Sequence, residues 1–568
     1  MKTRELIKMA AVCLTAALGA GVQAQAAETN QPAWLRPDPA AMKRWQDMRF
    51  GMFIHWGPVS LTGQEIGWSR GAQTPIEKYD SLYKEFNPVK FNADEWAGLA
   101  KAAGMKYVVL TTKHHDGFCL FATKETDFNI MNSPFKRNVT KELAEACRKQ
   151  GIAFGTYYST CDWHHPDFPL TSPGGKVRRE KSDLDSYNRY LLAQIRELIT
   201  TCGPLLTIWN DVPQEFKGRG VNTIKMVREL QPDILINNRT GDGGDYDTPE
   251  QRIGGFNMAR PWESCMTLSA HNHWAWGGKD DGVKPLAPCL LMLIRGAGGD
   301  GNVLLNVGPT PLGEIAPEQA GRLREMGAWL AKYGESIYGT RGGPYKPTKS
   351  AVSTRTGNTV YVHITAWPEA TLKLPPLGAN IVRSRALTGG EATVSQTEAG
   401  VEISVPVASR QEIDTIVALE LDRPAIGIEP ISVAGVGESL TTGKKAKASH
   451  VYQKDKHYGA AMAVDGESDT RWATDADVKQ CWLEVDLGKP ETFDRAAIEA
   501  SGIYCERVKA FELQAKDGSG WKTFFKGGTV GERLEVKFEP VTAAVVRLVI
   551  DGEKGPTINE FQLFAPKK

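Results

Sequence analysis

Residues 107–128 read YVVLTTKHHDGFCLFATKETDF and place a polar cluster directly after an apolar run. The run at 107–110 is rich in β-branched residues, which is typical of a strand buried on both faces of a parallel sheet. Three further residues lead to His114, His115 and Asp116. Because α/β barrels carry active-site residues at the carboxyl ends of buried strands, the stretch predicts a barrel strand with functional side chains at its end. A pair of loop histidines held by local hydrogen bonds is the alternative explanation.

Buried strands alternate with amphipathic helices over the first part of the chain. Strands are predicted at 49–57, 152–158, 205–211, 234–239 and 302–307, with helices between them. We find no glycine-rich nucleotide-binding turn of the GxGxxG type. The pattern therefore favours a (β/α)8-type barrel over residues 35–340 rather than an open nucleotide-binding sheet.

Polar and aromatic side chains fall at or just beyond the ends of five predicted strands. They are His55, His114 with His115, Tyr157, Trp209 with Asp211, and Arg239. Because the carboxyl ends of barrel strands meet at one face, we expect these side chains to line a common pocket.

The remainder of the chain has the period-two alternation of β structure. The helical period stops after Tyr338, and short strands predict a small β-sandwich domain over residues 345–423. A stretch rich in Gly, Pro and Lys at 424–447 is interpreted as a linker. Further short strands separated by turns predict a second β-sandwich over residues 448–566.

The amino terminus has the composition of a secretory signal. MKTRELIK supplies a basic segment, a small apolar run follows, and AQA at 24–26 forms a cleavage site. Residues 1–26 are therefore predicted to be a signal peptide, and the mature protein to be secreted or periplasmic. The net charge of +1 does not suggest nucleic-acid binding, and no later run reaches the roughly 18 apolar residues of a membrane helix. Neither nucleic acid nor membrane insertion is expected.

Seven motifs, in order, resemble the α-L-fucosidases of glycoside hydrolase family 29. They are FGMFIHWG, KYVVLTTKHHDGFCLF, FGTYYS, CDWHHPDF, IWND, RPWESCMTL and GNVLLNVGP. The resemblance covers residues 35–425. The tail, from AVDGESDTRWAT to INEFQLF, resembles a discoidin-like domain of the coagulation factor 5/8 type C kind, which is often appended to secreted glycosidases as a carbohydrate-binding module.

The resemblance implies a retaining, exo-acting α-L-fucosidase that cleaves terminal fucosyl linkages of a fucosylated glycan through a covalent glycosyl-enzyme, with no cofactor for catalysis. Asp211 matches the family's nucleophile. Glu65 and Trp68 match a Glu-Trp contact of the family, although their spacing is wider here. The full set that matches the fucose pocket is His55, Glu65, Trp68, His114, His115, Tyr157, Trp209 and Arg239.

Two glutamates compete for the role of acid/base, because family members differ in the segment that supplies it. Glu250 follows the fifth predicted strand with Asp245 and Asp247 nearby, whose charges favour a protonated neighbour. Glu263 precedes an apolar strand, which favours desolvation. Glu250 is our first choice, because a loop can approach the glycosidic oxygen from outside the sugar ring. Glu263 is the second choice, and otherwise holds the sugar or orients Arg239.

Other functions remain open at this point. A retaining exo-glycosidase with galactoside specificity would need only a local change, since a C6 hydroxyl replaces a methyl group. A non-catalytic carbohydrate-binding protein on the same barrel is argued against by Asp211 and the two glutamates. His-rich loops suggest metal-dependent hydrolysis, but the HxH motif that this would require on the first strand is missing from the sequence.

One metal site is suggested in the terminal domain. Asp465, Asp469, Thr470 and Glu560 resemble the calcium loop of discoidin-like modules, and their oxygen donors suit Ca²⁺. A turn held by side-chain hydrogen bonds is the alternative explanation. Structural calcium is the one cofactor that the resemblance suggests.

Overall fold

The computed structural model describes most of the chain after the predicted signal peptide. The described residues are 35–169, 181–213, 216–348, 350–367, 369–433, 439–455, 458–466, 470–500, 506–531 and 533–566. The predicted signal peptide, 1–26, and Asp469 lie outside these ranges. All elements below belong to the compact unit that begins at Pro37.

The first part of the chain forms a sheet of parallel strands with accompanying helices. The strands are β1 (Phe50–Ile54), β2 (Tyr107–Lys113), β3 (Ala153–Ser159), β4 (Thr207–Asp211), β5 (Leu235–Ile236), β6 (Glu263–Thr267) and β7 (Asn302–Val307). The helices are α1 (Pro39–Met48), α2 (Ile76–Ser81), α3 (Ala93–Ala102), α4 (Val139–Gln150), α5 (Leu184–Cys202), α6 (Gly220–Leu230), α7 (Leu286–Gly298) and α8 (Pro317–Tyr333). The strand order is β5-β4-β3-β2-β1-β7-β6, which is that of a barrel interrupted between β5 and β6.

The irregular segment 245–251 lies between these two edge strands. Tyr246 bridges in parallel to the residue that follows β5, and Glu250 bridges in parallel to Cys265 of β6. Pro249 has no amide hydrogen, so the segment cannot form a regular ladder. The predicted barrel architecture is thus confirmed as a curled parallel sheet with helices, in which an irregular segment takes the place of an eighth strand.

Along each barrel strand, side chains two positions apart face the barrel interior, and they form an aromatic layer followed by a polar layer. Phe53 of β1 packs against Tyr157 of β3 and Trp209 of β4, with ring centroids 5.8 and 5.3 Å away. His55 and Asp211 come two residues after Phe53 and Trp209. Side chains two residues apart share one face of a strand, so the polar layer lies directly beyond an aromatic layer, toward the carboxyl ends.

A buried ion pair joins the start of β1 to the start of β7. The Nη2 atom of Arg49 lies 2.8 Å from Oδ1 of Asp300, and both side chains are almost fully buried. Arg341, at the start of the next domain, also donates to Asp300. Removal of Asp300 would leave the charge of Arg49 uncompensated in the interior, so this pair fixes the two strands to each other.

Two antiparallel sheets follow the barrel. The strands are β8 (Arg341–Gly342), β9 (Ala351–Thr356), β10 (Thr359–Ile364), β11 (Leu372–Leu374), β12 (Ile381–Ala386), β13 (Thr393–Thr397), β14 (Gly400–Ser404) and β15 (Thr415–Leu421). Five of them form one sheet, in the order β12-β15-β10-β9-β8, and three form another, β11-β14-β13. Val360 and Leu419 of one sheet share a hydrophobic core with Val401 and Ile403 of the other, as expected of a small β-sandwich.

The predicted linker, 424–447, is shorter in the structure. Arg355 donates to the carbonyl oxygens of Ala425 and Ile428, and Ile431 pairs with Tyr345. These contacts attach the first part of the predicted linker to the β-sandwich. Composition could not reveal this, because the contacts are made by backbone carbonyl groups.

The carboxyl-terminal part is a second β structure. Its strands are β16 (Lys445–Ala448), β17 (Trp472–Ala473), β18 (Gln480–Glu499), β19 (Val508–Asp517), β20 (Gly520–Gly527), β21 (Arg533–Gly552), β22 (Thr557–Ile558) and β23 (Glu560–Phe564). β18 and β21 are long antiparallel partners at the centre of a six-stranded sheet, while β17 pairs with β22. Within the described residues, no helix combines the length and apolar character required to cross a membrane.

Candidate active site

A cavity of about 300 Å³ opens at the carboxyl ends of the barrel strands. It is lined by Phe53, His55, Trp68, His114, His115, Tyr157, Trp209, Asp211, Val212, Pro213, Arg239, Glu250, Cys265 and Trp274. Most of the side chains that the sequence placed in one pocket therefore meet here. Two of the predicted residues, Glu65 and Glu263, are not part of the lining.

Asp211 is the last residue of β4 and lies at the centre of the polar layer. Its Oδ1 accepts a hydrogen bond from Arg239 Nη1 at 2.8 Å, and its Oδ2 accepts one from the Tyr157 hydroxyl at 2.8 Å. Burial alone would raise the pKa of Asp211, but the charge of Arg239 and these hydrogen bonds hold it below its ordinary value. Asp211 is therefore an ionised carboxylate with a fixed orientation.

The backbone after Asp211 is also constrained. Val212 adopts a φ of 49°, in the left-handed region that β-branched residues rarely occupy. The Thr160 hydroxyl donates to the carbonyl oxygens of Asp211 and Val212, at 2.6 and 2.7 Å, and the amide of Val212 donates to Asp211 Oδ1. The strained turn is thus held by specific bonds, as is common beside reactive groups.

Glu250 lies on the irregular segment that replaces the eighth strand. Its Oε2 is 2.9 Å from Arg239 Nη2, and 43% of its side chain is exposed. Arg239 thus contacts Asp211 through one terminal nitrogen and Glu250 through the other. The guanidinium also lies over the Trp209 ring, 4.7 Å from its centroid. One cation therefore separates two carboxylates, and both reach the cavity.

Glu263 occupies a different layer of the barrel. It begins β6, in register with Asn302 at the start of β7, and its side chain is fully buried. Tyr107 donates to one carboxylate oxygen at 2.5 Å, and the Trp209 indole donates to the other at 3.1 Å. Burial raises the pKa of Glu263 to about 7, against these hydrogen bonds. Cys265, two residues later, is the β6 residue that lines the cavity.

The hydrogen bonds around His55 fix its tautomer. Asn306 Nδ2 donates to the Trp274 carbonyl at 2.7 Å, so the amide oxygen faces His55 Nδ1, 2.6 Å away. Nδ1 must therefore carry the hydrogen, and Nε2 is an acceptor. Burial lowers the pKa of His55 to about 3, so the ring is neutral.

His115 has the same tautomer for a similar reason. The Ser159 hydroxyl donates to the Cys161 carbonyl, which leaves its oxygen to accept from His115 Nδ1 at 2.7 Å. Burial lowers the pKa of His115 to about 4, and Nε2 lies 3.7 Å from Asp211 Oδ2. His55 and His115 thus present neutral acceptor nitrogens, which suit the hydroxyl groups of a sugar.

A loop between β1 and α2 brings Trp68 to the cavity. Gly67 has a φ of 66°, and a Cβ atom there would lie 2.8 Å from His114 Nδ1, so only glycine fits against this histidine. The hydroxyl of Tyr79 accepts from the Gly67 amide and donates to Asp116, the residue after His115. Trp68 remains 46% exposed at the mouth of the cavity.

Two aromatic residues of the cavity were missed as site residues in the sequence. Phe53 precedes His55 by two residues on the same strand face, which is a signal that could have identified it. Trp274 lies in the long loop after β6, with its ring centroid 4.9 Å from that of His55 and 6.1 Å from that of Phe53. Its only sequence signal is an aromatic side chain in a loop on the active-site face of the barrel.

The predicted calcium residues that the structure describes lie close together. The Thr470 hydroxyl contacts both carboxylate oxygens of Asp465, at 2.9 and 2.8 Å. Glu560, the first residue of β23, accepts from the Gly466 amide. Asp469 lies outside the described residues. Calcium binding at this loop stays a prediction.

The comparisons with known proteins agree with this architecture. The Alpha-L-fucosidase family matches residues 17–335, and the F5/8 type C domain matches residues 445–561. The chain is 30% identical to plasma alpha-L-fucosidase of Homo sapiens over 352 residues, which are 56% of this chain and 73% of the human protein.

Solved structures give the same result. Alpha-L-fucosidase isoenzyme 1 from Paenibacillus thiaminolyticus is 33% identical, with a TM-score of 0.62 over 67% of this chain and 99% of that chain. An alpha-L-fucosidase of Bacteroides thetaiotaomicron, trapped as a covalent intermediate with 2-fluoro-fucosyl fluoride, is 27% identical, with a TM-score of 0.62 over 69% and 98%. The chain belongs to the alpha-L-fucosidase family of glycoside hydrolases, family 29, and carries an F5/8 type C domain.

Proposed function

We propose that this protein is a retaining, exo-acting α-L-fucosidase that removes terminal α-L-fucosyl residues from glycans through a covalent fucosyl-enzyme on Asp211. The observation that carries the proposal is the pair of carboxylates at Arg239, where Nη1 contacts Asp211 at 2.8 Å and Nη2 contacts Glu250 at 2.9 Å. Retaining glycosidases use two carboxyl groups about 5 Å apart. A single guanidinium between them gives a spacing of this kind.

In the first step, the Asp211 carboxylate attacks the anomeric carbon and the glycosidic bond breaks. Glu250, in its protonated form, transfers its proton to the departing oxygen, so that the aglycone leaves as an alcohol. Its exposed side chain at the mouth suits this role, since the aglycone must leave through solvent. In the second step, Glu250 accepts a proton from water as the water oxygen attacks the anomeric carbon, and the bond to Asp211 breaks.

The cavity suits one sugar ring. Its volume of about 300 Å³ is at the lower end of the roughly 300–1,000 Å³ that is usual for ligand pockets. The acceptor nitrogens of His55 and His115 can each bind a sugar hydroxyl, while Phe53 and Trp274 supply an apolar wall. A pocket with room for one sugar residue supports action at chain ends.

The other parts of the chain have proposed roles outside the chemistry. The signal-like composition of residues 1–26 supports a secreted or periplasmic location, where fucosylated glycans would be met. The F5/8 type C domain is proposed to bind carbohydrate, which would raise the local concentration of substrate.

A mechanism-based label tests the assignment. Incubation with 2-fluoro-fucosyl fluoride should add one fluorofucosyl group, and peptide mass spectrometry should locate it on Asp211. A panel of nitrophenyl glycosides provides the second measurement. Label on another residue would overturn the assignment of Asp211 as nucleophile. Faster turnover of a galactoside than of a fucoside would overturn the proposed sugar specificity. If no glycoside is turned over, the protein is a non-catalytic carbohydrate-binding protein.

A further inference from the structure

We propose that Glu65 is a positioning residue, which holds Trp274 against the sugar-binding cavity through the peptide backbone and does not itself contact the sugar. The proposal rests on the function proposed above for this cavity. It concerns two loops that come from distant parts of the chain, the loop after β1 and the loop after β6.

The carboxylate of Glu65 is fully engaged with backbone amides. Its Oε2 accepts from the Trp274 amide at 2.8 Å. Its Oε1 accepts from the amides of Ala275 and Ile66, at 3.1 and 2.9 Å. Two of these three donors belong to the second loop, so Glu65 joins the loops directly. Such charge-assisted bonds to amides are stronger than bonds between neutral groups.

Trp274 is held from its other side as well. Its carbonyl oxygen accepts from Asn306 Nδ2 at 2.7 Å, and Asn306 Oδ1 faces His55 Nδ1 at 2.6 Å. The Trp274 peptide is thus fixed at its amide by Glu65 and at its carbonyl by Asn306. Displacement of this peptide would move the Trp274 ring.

The surroundings of Glu65 are apolar, so burial raises its pKa, and the three amide hydrogen bonds oppose this effect. The Ala275 side chain packs into a small hydrophobic cluster with Val59, Ile66 and Tyr79, and Trp274 packs against it. Glu65 does not line the cavity, although Trp68 from its own loop does. Two residues of this loop therefore have different roles. Trp68 lines the cavity, whereas Glu65 lies behind the cavity wall.

A spectroscopic test needs no substrate. The enzyme is labelled with 5-fluorotryptophan, and the ¹⁹F resonance of Trp274 is assigned as the signal that disappears in Trp274→Phe. Glu65→Gln replaces one accepting oxygen by an amide donor that cannot bind the Trp274 or Ala275 amide. We expect the Trp274 signal to shift or broaden in this variant. The matched control is Glu77→Gln, the same change at an exposed glutamate of α2, which should leave the signal in place.

A kinetic test separates positioning from direct sugar contact. On a nitrophenyl fucoside, Glu65→Gln should lower kcat/KM by about tenfold through displacement of the wall, mainly by raising KM. In a Trp274→Ala background, the same change should have less than about a twofold further effect, because residues that act through one another are not additive. Equal losses in both backgrounds would show that Glu65 contacts the sugar, and would overturn the proposal.

The remaining outcomes are also decisive. An unchanged ¹⁹F signal in a folded Glu65→Gln enzyme would overturn the positioning role. If Glu65→Gln does not fold, Glu65→Asp serves in both tests, because its shorter side chain keeps the charge but cannot reach the amides of both loops, and the same shifts are expected. If the wild-type enzyme cleaves no fucoside but its Trp274 signal responds to Glu65→Gln, the proposed function fails and the positioning role stands.

Discussion

Glu250 and Glu263 are thirteen positions apart in the chain and lie in opposite environments. Glu250 is 43% exposed at the cavity and pairs with Arg239. Glu263 is fully buried beneath the cavity and is held by Tyr107 and Trp209. Burial raises the pKa of Glu263 to about 7, which is the value sought in a general acid at neutral pH.

The comparison shows that a raised pKa does not by itself identify a catalytic acid. A proton donor must reach the glycosidic oxygen, and Glu263 is one layer too deep for this, whereas Glu250 lies at the cavity. Structural hydrogen-bond networks perturb pKa values just as active sites do. In the choice between the two glutamates, accessibility to the glycosidic oxygen therefore ranks above a raised pKa.

The largest effect is expected at Asp211, which shares Arg239 with Glu250. Asp211→Asn should leave the fold intact and lower turnover by on the order of 10³ or more, because an amide cannot form the glycosyl ester. Steady-state kinetics on a nitrophenyl fucoside measure this, with circular dichroism as the control for folding. Retention of a tenth of the wild-type activity would refute the assignment.

The next effect separates the two glutamates. Glu250→Ala should lose about 10²- to 10⁴-fold on fucosides with poor leaving groups and much less on dinitrophenyl fucoside, because only a poor leaving group needs a proton. Added azide should restore turnover and give a fucosyl azide. Glu263→Ala is the matched variant. If Glu263→Ala shows the leaving-group dependence and the azide product while Glu250→Ala does not, the order of the two residues is reversed.

A third effect concerns the contribution of Glu263 to stability. Its pKa lies above the ordinary value of 4.5, so the folded state holds the proton more tightly than the unfolded state. The free energy of unfolding should therefore fall as pH rises from about 4.5 to about 7, by on the order of 3 kcal/mol. In Glu263→Gln this contribution should be lost, while that of other buried carboxyl groups, such as Asp116, whose pKa burial raises to about 6, should remain.

Urea unfolding at several pH values measures the free energy of unfolding, with Glu229→Gln, at an exposed glutamate, as the control. The same dependence of unfolding free energy on pH in wild-type enzyme and Glu263→Gln would mean that Glu263 does not contribute to it.

A smaller effect is expected from calcium removal, far from both glutamates. If Asp465, Asp469, Thr470 and Glu560 hold Ca²⁺, a chelator should lower the melting temperature of the terminal domain by roughly ten degrees, since a ligand at 100 times its Kd adds about 2.7 kcal/mol. Fucoside hydrolysis should not change. Asp465→Asn should abolish the response to the chelator, and a chelator effect that survives this substitution would place the metal elsewhere.

The smallest effect is expected from removal of the terminal domain. A chain that ends at Val433 keeps the segment that contacts Arg355, and should hydrolyse a nitrophenyl fucoside within about twofold of the wild-type rate. Turnover of a polymeric glycan is the companion measurement, since lost local concentration should affect that substrate only. A large loss on the small substrate would show that the terminal domain contributes to the pocket.

The sequence predicted best those site residues that lie at or near the carboxyl ends of regular strands. His55 directly follows β1, Tyr157 lies near the end of β3 and Asp211 ends β4, so the carboxyl ends of predicted strands located each of them. The irregular segment 245–251 and the role of Trp274 were not predictable in this way. The segment contains Pro249 and so lacks a strand period, and Trp274 is placed by bonds to two residues far away in the chain.

Glu65 shows a second limit of prediction from sequence, which concerns the direction of a side chain. The motif match placed it in the sugar pocket, but its carboxylate is turned toward backbone amides of another loop. A motif preserves the type of residue and its position in the chain. It does not record the direction of the side chain, which here depends on the path of a loop some two hundred residues later.

The pairing of β1 with both β2 and β7 has a consequence for the order of folding. Phe50 pairs with Val303, so the first strand gains its second neighbour only when almost the whole barrel sequence is available. The entropic cost of closing a loop grows slowly with its length, by about 0.6 kcal/mol for each doubling. Contacts between residues distant in sequence nevertheless slow folding. Until β7 docks, Arg49 lacks Asp300 and His55 lacks Asn306. A nascent chain that stops before residue 302 therefore lacks β7, and with it the Asn306 bond that sets the His55 tautomer.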